Sequence, residues 1–153
     1  MTDTTVVPLA SLDETLALGA VLARVARPGD VIALSGPLGA GKTSIARGLL
    51  AELGLEGEAP SPSFAIVQPY DPPELRFPVL HVDLYRLDSP EEAVELGLDD
   101  ARHDSLLLVE WPERLPDSYW HDALWLSLEA PADGPRRLTA RVPAAWKGRW
   151  PLT

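Results

Sequence analysis

The chain contains no cysteine, which excludes disulfides, cysteine-ligated zinc, iron–sulfur clusters and cysteine nucleophiles. Lysine is nearly missing too: of 13 basic residues only Lys42 and Lys147 are lysines. No apolar run approaches the roughly 20 residues of a membrane span. The start, Met1-Thr2-Asp3-Thr4-Thr5, lacks the basic-then-apolar pattern of a leader. The expectation is a soluble cytoplasmic protein with no membrane association. Cations are scarce overall, 13 Lys+Arg against 23 Asp+Glu, for a net charge of −10. Such a balance repels a phosphate backbone, so direct capture of nucleic acid would need a partner's cations. The commonplace meaning of an acidic surface is solubility. What is present is 153 residues, 46% of them hydrophobic. A chain of this size buries about two thirds of its unfolded surface, enough for one domain over 1–153 with a full core.

Ser11 followed by Glu14 is a capping box, and Leu18, Val21, Leu22 and Val25 recur on one helical face before Pro28-Gly29. Val31–Ser35 is a short continuous apolar run, the pattern of a strand buried on both faces. Helical periodicity returns from Lys42 to Leu53, with Gly54 placed to cap it. After a loop marked by Pro60 and Pro62, Phe64 to Val67 reads as a strand, as does Val79–Asp83 beyond Pro72-Pro73. Ser89, Pro90 and Glu92 suggest a second helix start. Leu106–Glu110 is the most apolar strand. Ala123–Leu128 and Leu138–Val142 are expected to pair antiparallel across a turn containing Asp133-Gly134. Strands alternating with helices predict an α/β domain with a mainly parallel sheet and antiparallel edge strands near the C-terminus. In such folds ligands sit at the carboxyl ends of the strands.

Directly after the first buried strand comes Gly36-Pro37-Leu38-Gly39-Ala40-Gly41-Lys42-Thr43, with Ser44 next. This is a complete G-x-x-x-x-G-K-[ST] phosphate loop between strand and helix. Its glycines let backbone amides turn inward on a triphosphate, and the helix that follows aims its positive dipole end at the anion. Lys42 would reach the β/γ-phosphates and the Thr43 hydroxyl would ligate Mg²⁺. A second contact to metal or water should come from an acid ending another strand. Asp83 and Glu110 both qualify, and two carboxylates fit a division of labour between metal and attacking water. His81 points to the same side of its strand as Asp83, either supporting that acid or as an ordinary structural histidine. His103 and His121 read as surface residues, and most of the five tryptophans as packing.

Several strings together resemble one family, the bacterial tRNA threonylcarbamoyladenosine biosynthesis ATPases known as TsaE, earlier YjeE. They are Thr15–Gly19, Gly36–Thr43, Ser61-Pro62-Ser63-Phe64, His81-Val82-Asp83-Leu84-Tyr85-Arg86-Leu87, Glu95–Asp99 and Leu108–Arg114 with its Val-Glu-Trp-Pro-Glu core. They span roughly residues 11 to 140 in family order. The resemblance implies a three-layer P-loop NTPase fold and a Mg²⁺-dependent ATPase. It implies two partners, a TsaD-like threonylcarbamoyl-transferase subunit and its TsaB-like scaffold paralogue. The partner carries out transfer to the adenosine beside the anticodon, while ATP hydrolysis sustains repeated cycles. By motif position, Lys42 and Thr43 serve phosphate and Mg²⁺, Glu110 is the second magnesium ligand, and Asp83 positions water or metal. Ser61–Phe64, with Ser63 in place of the usual Thr, is implied as a switch near the γ-phosphate; Ser11, Gly134 and Arg136 are implied at the base or ribose. Pro37 stands where the family usually has Asp, removing one amide and one carboxylate from the loop.

Acidity and resemblance together predict that tRNA is held by the partner complex and reaches this chain only indirectly. A small-molecule kinase is an alternative, although Arg86, Arg102 and Arg114 form no clustered lid. A nucleotide-operated binding module with negligible hydrolysis is another. GTP is disfavoured by the absence of an Asn-Lys-x-Asp string.

Overall fold

A run of β-branched residues opens a strand that the sequence pattern had not predicted, β1 (Asp3–Leu9). The computed structural model describes residues 3–37, 40–57, 67–85, 87, 89, 91–132 and 134–150. The Ser11 half of the predicted capping box forms: the Glu14 amide donates to Ser11 Oγ at 3.2 Å and starts α1 (Leu12–Val25), while the Glu14 carboxylate accepts from the Ser11 hydroxyl at 3.4 Å. Its buried residues Thr15, Leu18, Gly19, Leu22 and Ala23 fall on one stripe. β2 (Val31–Ser35) leads through the phosphate loop into α2 (Lys42–Leu53), which Gly54 ends at φ 123°.

The two helices cross with almost no gap. A β-carbon on Gly19 would overlap the Ile45 carbonyl oxygen, and one on Gly48 would overlap that of Leu16. Only glycine permits this backbone-to-backbone approach.

Beyond the helix pair come β3 (Val67–Tyr70), β4 (Val79–Asp83), the short helices α3 (Glu91–Glu95) and α4 (Leu98–Ala101), and β5 (Leu106–Glu110). Single 3-10 turns at Pro112–Arg114 and Asp117–Trp120 precede β6 (Leu124–Glu129) and β7 (Arg136–Val142). All seven strands form one sheet in the order β1-β7-β6-β2-β5-β4-β3. β2 is parallel to β5 and to β6, and β4 is parallel to β5, while β3, β7 and β1 are antiparallel to their neighbours. The fold is therefore α/β with a parallel centre and antiparallel edges, as predicted, with two corrections. Ala123–Leu128 is not merely an edge partner of Leu138–Val142, because β6 also pairs parallel with β2. The outermost strand on that side comes from the N-terminus. The predicted strand at Phe64 to Val67 lies mostly outside the described residues; β3 begins at its last residue.

Strand alternation divides the core into two apolar layers. Ile32 and Leu34, Leu106 and Leu108, and Leu124, Leu126 and Leu128 pack with Leu22, Ile45, Leu49 and Leu50 of α1 and α2. On the other face Val31, Ala33, Leu107 and Val109 pack with Leu84, Leu98, Leu115 and Trp120. Truncating any of these fully buried leucines to alanine costs about 2–5 kcal/mol. Trp146 and Trp150 close the first layer from the C-terminal segment. Arg149 ties that segment down by a two-pronged pair with Asp30, at 2.7 and 2.9 Å, and a bond to the Val25 carbonyl at 3.0 Å. Among the described residues no helix is long and apolar enough to cross a membrane.

Candidate functional site

The carboxyl ends of β2, β4 and β5 converge where α2 begins. β2 runs out at Ser35, and Gly36 turns at φ 140°, with a β-carbon there lying 2.5 Å from the Leu128 carbonyl oxygen. Gly41 precedes α2 at φ 113°, a left-handed conformation that L side chains rarely adopt. A helix start shaped by such glycines would let backbone amides come close to an anion. Ala40 is buried, Thr43 and Ser44 are half-buried on the first turn of α2, and Pro37 is exposed.

Lys42 is 5% exposed, and its ammonium donates to the Gly36 carbonyl at 2.6 Å while lying 3.8 Å from the ring centre of Trp111. Burial pushes its pKa down, and the charges of Glu110, Glu113 and Asp83 oppose that shift. The loop lysine thus faces three carboxylates.

Two of those acids are aligned by the sheet. β4 and β5 pair in parallel with Asp83 opposite Glu110 and His81 opposite Leu108, so His81, Asp83 and Glu110 share the face that α2 covers. Glu110 is 4% exposed and its Oε2 is 2.7 Å from His81 Nε2. Asp83 Oδ1 accepts the Tyr85 amide at 2.9 Å. Burial pushes the Asp83 carboxyl up, the Tyr85 amide pulls it down, and the neighbouring charge of Glu110 raises it further.

Trp111 follows β5 with φ 61°, the only non-glycine at positive φ among the described residues. Its amide still bonds the Leu34 carbonyl at 3.3 Å, so the chain leaves the sheet in an abrupt left-handed turn that lays the indole over Lys42. That conformation costs a bulky residue about 1–3 kcal/mol, which marks functional sites more often than packing. Tyr85 supports the ring from the β4 side, 4.9 Å between centroids.

On the other flank of the loop, a β-carbon on Gly41 would lie 3.5 Å from Arg136 Nη1 and 3.5 Å from Thr15 Cγ2. Arg136, at the start of β7, therefore stands against the phosphate loop. The structure thus brings together Gly36, Ala40, Gly41, Lys42, Thr43, Ser44, Asp83, Glu110 and Arg136. Ser11 is exposed and its hydroxyl serves the α1 cap; Gly134 is exposed with open space around it. Leu38, Gly39 and Ser61–Phe64, Ser63 included, lie outside the described residues. The sequence reading did not assign Thr15, Glu113 or the orientation of Trp111. Their placement depends on how α1 and the turn after β5 pack against the loop, which linear spacing does not show.

The donor set suits one kind of metal. A threonine hydroxyl with carboxylate oxygens is a hard, all-oxygen set, fitting Mg²⁺ rather than a transition metal. Among the described residues no group of three His, Asp or Glu side chains forms a self-contained metal cage. Mg²⁺ carried by a nucleotide needs only one or two protein ligands, so the residues present fit that ion.

The chain is similar to known proteins in sequence and in fold. The family model described as "Threonylcarbamoyl adenosine biosynthesis protein TsaE" matches residues 9–138. Proteins named tRNA threonylcarbamoyladenosine biosynthesis protein TsaE are similar over most of the chain. That of Rickettsia conorii is 38% identical over 135 residues, covering 88% of this chain and 75% of its own. That of Bacillus subtilis is 35% identical over 128 residues, covering 83% and 78%, and that of Streptomyces coelicolor 41% over 113 residues, covering 73% and 76%. The crystal structure of Bacillus subtilis YdiB superposes with a TM-score of 0.74 at 31% identity, over 93% of this chain and 87% of that one.

Proposed function

This chain belongs to the TsaE family of threonylcarbamoyl adenosine biosynthesis proteins, and from that premise we propose that it is a Mg²⁺-dependent ATPase of tRNA threonylcarbamoyladenosine biosynthesis. It works as one domain in the cytoplasm, hydrolysing ATP slowly alone and faster with a TsaD-like threonylcarbamoyl-transferase subunit and its TsaB-like scaffold.

The observation that carries this reading is the in-register pair Asp83 and Glu110 beside the phosphate-loop Lys42. Residue roles follow from chemistry. Gly36, Leu38, Gly39, Ala40 and Gly41 present backbone amides to the phosphates, joined by Thr43 and Ser44 on the first turn of α2. Lys42 neutralises charge on the β- and γ-phosphates. Thr43 Oγ1 and a Glu110 carboxylate oxygen would hold Mg²⁺, which when bound would screen the developing phosphate charge. Asp83, whose carboxyl burial makes more basic than usual, orients the attacking water and accepts its proton. Arg136, against Gly41, contacts the nucleotide on the α1 side of the loop. Ser11 and Gly134 complete the base and ribose contacts, and Ser63 contributes a hydroxyl near the γ-phosphate.

The test is ATP turnover in the reconstituted modification system with Lys42→Ala or Glu110→Ala. Each is expected to lower turnover about 100-fold or more, the scale of removing one preorganised charge contact. Wild-type turnover in both would refute the site. A phosphorylated small molecule in place of free phosphate would point instead to a kinase.

A further inference from the structure

His81 lies on β4, two strands from the β2 that feeds the phosphate loop, and is 1% exposed on the α2 side of the sheet. Its Nε2 is 2.7 Å from Glu110 Oε2, in the range of a charge-assisted hydrogen bond. A carboxylate only accepts, so the proton of this bond is on Nε2. The other ring nitrogen, Nδ1, is buried with no hydrogen-bond partner among the described residues. On that face Val79, two residues earlier on β4, and Leu108, opposite on β5, are fully buried and apolar, while Gln68 pairs with His81 from β3.

For packing alone, an aliphatic side chain would serve better here, because it leaves no nitrogen stripped of water. What the imidazole adds is a donor fixed on one oxygen of Glu110. The strand register makes this possible: His81 sits two residues before Asp83, and Asp83 is opposite Glu110, so the ring lies below the carboxylate on one face.

We propose that His81 is a positioning residue for Glu110: by holding Oε2 it locks the carboxylate in one orientation and leaves Oε1 to serve the metal of the bound nucleotide. The inference rests on the reading of Glu110 as a magnesium ligand. His81 touches neither nucleotide nor metal. Outer partners that orient metal-binding side chains typically govern affinity by 10–100-fold.

The experiment is a Mg²⁺ titration of ADP binding, followed by calorimetry, on the wild type and on His81→Leu, His81→Asn, His81→Gln and Glu110→Ala, with melting temperatures for each. His81→Leu should still fold, with a somewhat lower melting temperature because the buried Glu110 Oε2 loses its donor, bind ADP normally in chelator, and need about 10-fold more Mg²⁺. His81→Asn, whose amide nitrogen stands near the level of Nδ1 and short of Glu110, should show the same Mg²⁺ defect in a polar variant. His81→Gln, whose amide reaches the level of Nε2, should recover most of the wild-type Mg²⁺ requirement. An unchanged Mg²⁺ requirement in His81→Leu and His81→Asn, with a raised one in Glu110→Ala, would overturn the role of His81 and leave the metal site standing. An unchanged requirement in Glu110→Ala would overturn the metal site itself. Failure of His81→Gln to recover what His81→Leu loses would assign the effect to ring packing and overturn positioning.

Discussion

Trp111 combines a left-handed backbone, a cation contact to Lys42 and an aromatic contact to Tyr85. An indole beside the phosphate-loop lysine should report on the site. Nucleotide addition is expected to change tryptophan emission in the wild type, and Trp111→Phe to abolish most of that change. An undiminished signal in Trp111→Phe would show that another of the five tryptophans responds. Trp111→Gly removes both the ring and the strain of φ 61°, so it should be no less stable than Trp111→Ala in urea denaturation; a clearly less stable glycine variant would contradict the strain. Asp83 gives a pH prediction. Burial raises its folded pKa above the unfolded value, so folding favours the protonated form. The stability this contributes is present in acid and is lost as pH rises through the folded pKa. Asp83→Asn should therefore gain stability over the wild type on going from acidic to neutral pH, read as a widening difference in urea midpoint. A gap that narrows toward neutral pH would contradict the shift.

At the scale of elements, the helix pair α1 and α2 decides how firmly the loop is held. Gly19 and Gly48 let the two backbones touch, and α2 carries Lys42 and Thr43 at its first turn. Gly48→Ala, or Gly19→Ala, inserts a methyl where a carbonyl already is, and the backbone must shift. The expected cost is about 1–3 kcal/mol, observed as a lower melting temperature together with weaker nucleotide binding, because the loop moves with the helix. A variant that melts as the wild type would show that the helices separate freely. The helix starts, the buried strand β2 and the loop between β2 and α2 were legible in sequence, since capping, apolar runs and glycine spacing act over a few residues. β1 was missed, because an edge strand with Thr4, Val6 and Pro8 exposed shows little of a buried strand's apolar run. The parallel pairing of β6 with β2 was missed because it joins residues about 90 positions apart.

Over the whole molecule, charge is unevenly placed. The last 20 residues hold five of the 13 basic residues and no acid. Four of those five cations make contacts within the fold. Arg136 stands against Gly41, Arg137 pairs with Glu129 at 2.8 Å, Arg141 lies 4.4 Å over Trp125, and Arg149 grips Asp30. With a net charge of −10 around them, they offer little to a phosphate backbone. The isolated chain is expected to show no tight tRNA binding at physiological salt by fluorescence anisotropy, with binding appearing only when the partner proteins are added. Tight binding by the chain alone would overturn the indirect mode. Arg149→Ala should cost about 1–3 kcal/mol, since charged hydrogen bonds in a mostly buried pair are lost and Asp30 is left unpaired.

The sequence by itself determined the phosphate loop, the acids that end two strands, the α/β alternation and the acidic balance, all of them properties of adjacent or closely spaced residues. Only the tertiary structure decided which acid faces which. The register of β4 against β5 sets Asp83 opposite Glu110 and brings His81 under the carboxylate, and the turn after Glu110 lays Trp111 over Lys42. It also decided what became of the basic C-terminal stretch. The physical reason is the same in each case: hydrogen-bond register and side-chain packing join residues far apart in the chain, and no local pattern encodes their meeting.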